Sequence, residues 1–537
     1  MASQLSQYVK APMEAFRHPI FIIAIINVAV AFFAFIKDIA LAAYLGTSVQ
    51  ADALTLAFFI PDSIGNNMFA GAISVVCVPV FSRLLALKEM ERLRLSIKHI
   101  AIRFLLISLL LMTTTYWFAS DITRWLGGTS SKELAELTLP LLHLLLPTIV
   151  LFVAIAIGTA VLQTNQNFFV PALAPLLFNI IFLGGVIYCI ISEISIGNGI
   201  SMIAKAITFG VGLMAIWVII TWFKSMTQMG ITQTKSESTT SIGWSYDWMV
   251  MLRTFMPYVL ILISIQMTYL AERYIISSFE QGAVAALNYS FRLSQFPIWV
   301  FVAAVSVVIL PSLSKYIALG LREETNSVML HAIRGVILIV LPSMLFLFFL
   351  REAIISALFE RGAFDAHSVL LTSSILEGYS LSVLSQAISL VCLRYFLARS
   401  QLVKVVAIFV VTAVITILID MGLVQIIGLR GIGYGAAIGA LLNTALLLYL
   451  LWKCIRPRFR TIVVELKLYC KVLITPLIYF LTMRVVWFSI PTNNSVPAVF
   501  FIFLVGSLFL IVYYFTLRRI WTSLFSELLS NKERGVL

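Results

Sequence analysis

The feature that most constrains this chain is a repeated length. Apolar stretches of roughly 20 or more residues, enough for an α-helix to cross about 30 Å of hydrocarbon, follow one another from residue 20 to residue 517. They predict spans at 20–45, 53–82, 100–120, 135–163, 168–192, 197–223, 248–277, 283–313, 328–350, 368–397, 402–426, 431–452, 465–488 and 496–517. The fold class that follows is an all-α polytopic membrane protein of about fourteen transmembrane helices. Water is not the main solvent of such a chain: 61% of its residues are hydrophobic and 11% are charged, whereas a soluble domain averages about a quarter charged. The first stretch contains Lys37 and Asp38 and lacks a small-residue cleavage pattern, so it reads as a retained helix rather than a signal peptide.

A formal net charge of +13 does not point to nucleic acid, because Lys and Arg lie mainly in short loops between the spans. Loops on one side hold Arg83, Lys88, Arg92 and Arg94, then Arg399 and Lys404, then Lys453 and Arg456, while the other side offers Arg124, Lys132, Arg351, Arg361 and Arg430. That asymmetry places both termini in the cytoplasm. The five cysteines are single and scattered, the five histidines are isolated, and no Walker lysine, serine elbow or metal-ligand spacing occurs. The sequence therefore gives no catalytic residue, no metal ligand and no cofactor site, and an enzyme reading has little to rest on.

The Ser- and Thr-rich run from Lys224 to Gly243 reads as a cytoplasmic linker. It divides the chain into an N-terminal lobe (1–223), a linker (224–247), a C-terminal lobe (248–460) and a final part (461–537) with two helices and a tail. A weak repeat supports two pseudo-symmetric lobes. Lys37-Asp38, Gly46, Ala51-Asp52-Ala53 and Val78-Pro79 in the first correspond to Glu272-Arg273, Gly282, Ala285-Ala286 and Leu310-Pro311 in the second. A parallel repeat of this kind has its axis along the membrane normal and is common in transporters.

Ionisable residues inside spans are the places to look for function, since each must line water, find a partner or bind something. Lys37 and Asp38 lie in the first span, Glu272 and Arg273 in the seventh, Arg292 in the eighth, and Glu377 and Arg394 in the tenth. Adjacent pairs of opposite sign have a plainer explanation in mutual neutralisation. Lys37, Arg273, Arg292 and Arg394, from four helices, suit a cationic cavity for an anionic substrate, and guanidinium forks fit phosphate oxygens. Asp52, near a helix start, has a capping role as its competing explanation. Glu377, followed by Gly378, is a candidate for proton or cation coupling. The Gly-rich run Gly431, Gly433, Gly435 and Gly439 follows no strand and is not read as a nucleotide fingerprint; Gly435 and Gly439, four apart, read as small residues for close helix packing.

The segment from Ala271 to Leu293, with Phe296-Pro297 and Ile309 to Ser314, resembles the MurJ/MviN family of lipid II flippases. So do Lys37-Asp38 through Gly46 with Ala51-Asp52-Ala53, Pro61 and Val78-Pro79, and Leu393-Arg394 through Arg399. The resemblance implies the fold of the multidrug/oligosaccharidyl-lipid/polysaccharide exporter superfamily, with two lobes around a central cationic cavity. It implies a bacterial inner-membrane transporter, driven by membrane potential, for an undecaprenyl-pyrophosphate-linked glycan, with a proton or Na⁺ as possible coupling ion and envelope-synthesis proteins as possible partners. Lys37, Arg273, Arg292 and Arg394 become the expected pyrophosphate contacts, and Asp38, Asp52, Glu272 and Glu377 the supporting or coupling groups. The chain departs from the family pattern at Ala31, Gly65-Asn66 and Ala70, where charged residues are usual, and at Gln295, an occasionally acidic position. That loss of charge keeps a flippase for an exopolysaccharide or O-antigen unit as an alternative. A small-cation exporter and a non-transporting scaffold are less favoured.

Overall fold

The computed structural model describes residues 25–127, 132–228, 242–302, 309, 313, 316–317, 319–399, 401–455, 473–486, 500–502, 504–509 and 511–513. Among these residues every regular element is a helix. The first is α1 (Ile25–Leu45). α2 (Val49–Pro61) runs through a π-helical segment, Asp62–Ala70, into α3 (Gly71–Ala86). Then come α4 (Met90–Trp117), α5 (Ala119–Leu126), α6 (Lys132–Leu145), α7 (Pro147–Thr164), α8 (Phe169–Ile191), α9 (Ile196–Gln228) and α10 (Ile242–Ile276). α11 (Ala283–Pro297) passes into a second π-helical segment, Ile298–Val302, and is followed by α12 (Arg322–Phe359), α13 (Ala366–Ala398), α14 (Val403–Ile427) and α15 (Arg430–Ile455). Two shorter apolar helices, α16 (Leu473–Val486) and α17 (Phe500–Tyr513), complete the described chain.

Eleven of the described spans are long and apolar enough to cross a membrane. The other three expected spans coincide with α11 and its π-helical continuation, α16 and α17. Two details differ from the sequence reading. Arg351, expected in an outer loop, lies inside α12, which continues past a non-helical Leu350 (φ −111°, ψ 18°) to Phe359. The eight-residue α5 was not anticipated, because it is shorter than any hydropathy window.

Two compact units divide the chain, one within Ile23–Ala285 and the other within Ala286–Leu537. The sequence reading puts its boundary at the linker 224–247, of which 229–241 lie outside the described residues. α10 belongs to the first unit because it packs on α3, α4 and the first π-helical segment. The core of that unit is apolar: Phe152, Ile155 and Leu162 of α7 meet Val170 and Ala174 of α8 and Val211, Met214 and Val218 of α9. In the second unit α13 packs on both α12 and α15, and α15 on α14.

The faces of α14 show which solvent the fold is built for. It buries Thr412, Thr416 and Asp420 and exposes Val411, Val414 and Leu418. A helix in water does the reverse. Lipid accepts the apolar face, while each inward threonine bonds a carbonyl of its own helix: Thr412 Oγ1 donates to Ile408 O at 2.8 Å and Thr416 Oγ1 to Thr412 O at 2.7 Å. Glycines set the approach of the neighbours. A Cβ at Gly435 or Gly439 of α15 would collide with Asp420 and Thr416 of α14, and one at Gly433 with the α13 backbone at Ile375. Gly378 of α13 lies against Gly433 and Tyr434 just as tightly. The stripe is therefore a double packing surface, as small residues are in membranes.

Gly378→Ala forces those two helices apart and is expected to lower stability by roughly 1–3 kcal/mol, the usual cost of overpacking. Gly184→Ala, where an added Cβ has nothing within 4 Å, is the control. Thermal unfolding of both variants in detergent checks this, and equal melting temperatures would refute the packing role.

Candidate functional site

Hydrocarbon offers an ion no hydration, and a charged residue at the centre of a helix costs about 2.5–3.5 kcal/mol to insert. The buried charges of the first unit have each found a neighbour. Lys37, 3% exposed, lies 3.3 Å from Asp38 Oδ1 and 4.7 Å above the ring of Phe182 on α8. Arg273 of α10 stacks its guanidinium 3.9 Å from the ring centre of Phe59 on α2 and donates from Nη1 to Tyr269 O at 2.9 Å. Glu272, next to it, is also buried. Cation–π contact is stronger where water is excluded, so Phe59 and Phe182 stabilise these buried cations.

Asp52 stands in the first turn of α2, yet the cap of α2 is Ser48, whose Oγ accepts from Ala51 N at 3.2 Å. Asp52 serves another helix. Its Oδ2 accepts from Gly282 N and its Oδ1 from Ala285 N, both at 2.7 Å, so the carboxylate closes the N-terminus of α11. Negative charge is favoured at a helix N-terminus by the unpaired N–H groups and the macrodipole. Gly282 has φ +86°, and a side chain there would run into Thr47; glycine is required at this bend for both reasons.

In the second unit Glu377 of α13 is the centre of a network. Arg351 Nη2 of α12 is 3.1 Å from its Oε2, Arg430 Nε at the start of α15 is 3.9 Å from the same oxygen, and the Tyr434 hydroxyl donates to Oε1 at 3.0 Å. Arg351 also donates from Nη1 to Phe348 O at 2.8 Å, meeting a carbonyl beside the break at Leu350. Sequence reading found Glu377 but missed Arg351 as its partner. The available signal was that an acidic residue within an apolar segment requires a cation from a neighbouring one. It also passed over Asp420, which is fully buried on α14.

Arg292 on α11 and Arg394 on α13 are half-buried, and the buried Nε of Arg394 has no hydrogen-bond partner among the described residues. One turn beyond Arg292, Gln295 donates through Nε2 to Gln386 Oε1 on α13 at 2.7 Å, a neutral contact where an acidic residue is sometimes found in the resembled family. Of the eight residues singled out from sequence, Lys37 and Asp38 are paired directly. Asp52 and Glu377 each join separate helices.

The family model described as lipid II flippase MurJ matches residues 41–508. The protein named probable lipid II flippase MurJ from Rhizobium tropici is 25% identical over 436 residues, covering 78% of each chain. The solved structure titled lipid II flippase MurJ, inward closed conformation, superposes with a TM-score of 0.74 at 23% identity, covering 93% of this chain and 99% of that one. An inward-facing multidrug transporter of the MATE family, in the MOP superfamily, gives a TM-score of 0.66 at 15% identity over 81% of this chain and 98% of its own. These likenesses establish a transporter fold shared with both.

The Arg351–Glu377 pair makes a direct prediction. Removing one partner of a buried ion pair strands the other and costs about 3–5 kcal/mol, whereas replacing both by apolar residues is often neutral. Glu377→Ala is expected to lower folded yield and melting temperature sharply, and the double variant Arg351→Met/Glu377→Leu to regain most of the loss. A double variant no better than the single one would show that the ion pair itself is required.

Proposed function

The chain belongs to the lipid II flippase MurJ family, and on that premise we propose that it moves a polyprenyl-pyrophosphate-linked glycan, lipid II first among them, from the inner to the outer leaflet of the bacterial cytoplasmic membrane. It is a transporter and not an enzyme. The observation that carries the substrate reading is the set of buried or half-buried cations on membrane-spanning helices: Lys37 on α1, Arg273 on α10, Arg292 on α11 and Arg394 on α13. A pyrophosphate is the anion that repays such placement, because Arg presents a planar fork to phosphate oxygens.

In this reading Lys37 and Arg273 exchange their internal partners for pyrophosphate oxygens and take them back on release. Asp38 and Phe182 hold Lys37 when substrate is absent, and Phe59 holds Arg273. Transport follows alternating access, with the glycan in the hydrated interior and the polyprenyl chain in lipid. The π-helical segments after Pro61 and Pro297 are the points at which the proposed cycle flexes its helices. The driving force is the membrane potential, worth about 2.3 kcal/mol per charge per 100 mV, and both termini are cytoplasmic. The second reading is a different lipid-linked glycan, favoured by Ala31, Gly65-Asn66 and Ala70, which have less charge than the resembled pattern.

A bacterial strain whose own lipid II flippase can be switched off decides between them. With a membrane-impermeant probe of outer-leaflet lipid II, this chain is expected to restore exposure and its Arg292→Ala variant to restore at most about a tenth, the loss of one charge-assisted contact. A well-expressed chain that restores nothing would move the assignment to another glycan lipid.

A further inference from the structure

Asp62, Asn66 and Asn67 form a polar group that the proposed pyrophosphate contacts leave unused. They sit on the π-helical segment Asp62–Ala70, in the middle of the 38-residue span Val49–Ala86. Asn66 Nδ2 donates to Asp62 Oδ1 and Asn67 Nδ2 to Asp62 Oδ2, each at 3.0 Å. An α-helix stacks residue i beneath i+3 and i+4. Only the wider π turn, with its i to i+5 bonding, brings the fourth and fifth neighbours to the same carboxylate. Gly65 seats this turn on α7, where a Cβ would press on Ile149 and Phe152, and so fixes which side of the turn faces out. On that side Asn66 is exposed, and Asp62 and Asn67 are half-buried.

A carboxylate and two primary amides at mid-span do not face acyl chains; polar side chains at that depth line water or bind something. Both oxygens of Asp62 accept an amide N–H, so the carboxylate holds the two amides in place beside each other. Each amide commits one N–H to Asp62 and has a carbonyl oxygen and a second N–H besides. Donors and acceptors held side by side suit a ligand whose groups also do both without charge, which describes sugar hydroxyls and acetamido groups.

We infer that Asp62, Asn66 and Asn67 are a glycan-reading site, in which Asp62 positions the two amides against the uncharged sugar of the lipid-linked substrate. The inference rests on the flippase reading and adds the group that senses the sugar, leaving the pyrophosphate to the cations. It assigns to this chain a specificity determinant that acts by hydrogen bonding.

The test uses the full chain with its five cysteines replaced and a single Asn66→Cys substitution. The rate of labelling by a charged methanethiosulfonate reagent is measured alone, with lipid II, and with undecaprenyl pyrophosphate, which has the same lipid chain and a pyrophosphate but no sugar. The thiol is expected to react, lipid II to slow the reaction at least about tenfold, and undecaprenyl pyrophosphate to leave it unchanged. In the otherwise native chain, Asp62→Asn and Asn67→Ala should each weaken lipid II binding about five- to tenfold, the range for losing one or two hydrogen bonds, without changing undecaprenyl pyrophosphate binding. A thiol that does not react, or equal protection by the two lipids, overturns the glycan site while leaving the flippase reading intact. Failure of the native chain to bind either lipid is a distinct result and overturns the flippase reading with the site that depends on it.

Discussion

Hydrocarbon supplies no hydrogen-bond partner, and the structure is organised around that absence. Backbone groups answer it by forming helices, and side chains answer it in three other ways. Threonines bond back to their own helices, as Thr412 and Thr416 do. The Asp52 carboxylate accepts the N–H groups that start α11. Lys37 and Arg351 take carboxylate partners and Arg273 takes a ring. The same constraint turns α14 polar side inward, with no aqueous analogue.

Close approach is the second consequence. Between helices in lipid there is little hydrophobic drive, so association depends on contact area and on polar groups that find one another. Gly378, Gly433, Gly435 and Gly439 bring three backbones together, and the polar groups inside the seam then pair: Asn443 donates to Thr412 Oγ1 at 2.9 Å and Ser389 to Asn443 Oδ1 at 3.2 Å. Proline adds irregularity at corresponding points of the two halves. Pro61 precedes one π-helical segment and Pro297 the other, and Gly46 and Gly282, both with positive φ, precede the helices concerned. The internal repeat glimpsed as sparse identities is thus also a repeat of backbone irregularities.

A transporter must bind its cargo and release it, and internal partners make that reversible. Lys37 and Arg273 are not bare charges awaiting a phosphate; they rest on Asp38, Phe182 and Phe59. Binding in the proposed cycle exchanges one set of contacts for another of similar worth, which avoids both an insertion penalty in the empty state and a trap in the loaded one.

The sequence by itself determined the solvent, the number of spans and most of their limits, because hydropathy sums over a window and a membrane reads that sum. It also marked Glu377, Asp52, Lys37 and Arg273 as costly residues that need an explanation, and Gly435 with Gly439 as packing. What each costly residue met was decided only by tertiary structure. Asp52 looks like the cap of its own helix and closes one that starts 231 positions later in the chain. Arg351 counts as a loop cation until the bend at Leu350 sets it beside Glu377, and the Asp62 amide pair exists only because a π turn replaces an α turn. Burial cost is a property of one residue and is legible along the chain, whereas its compensation is a contact through space, fixed by the crossing and winding of helices.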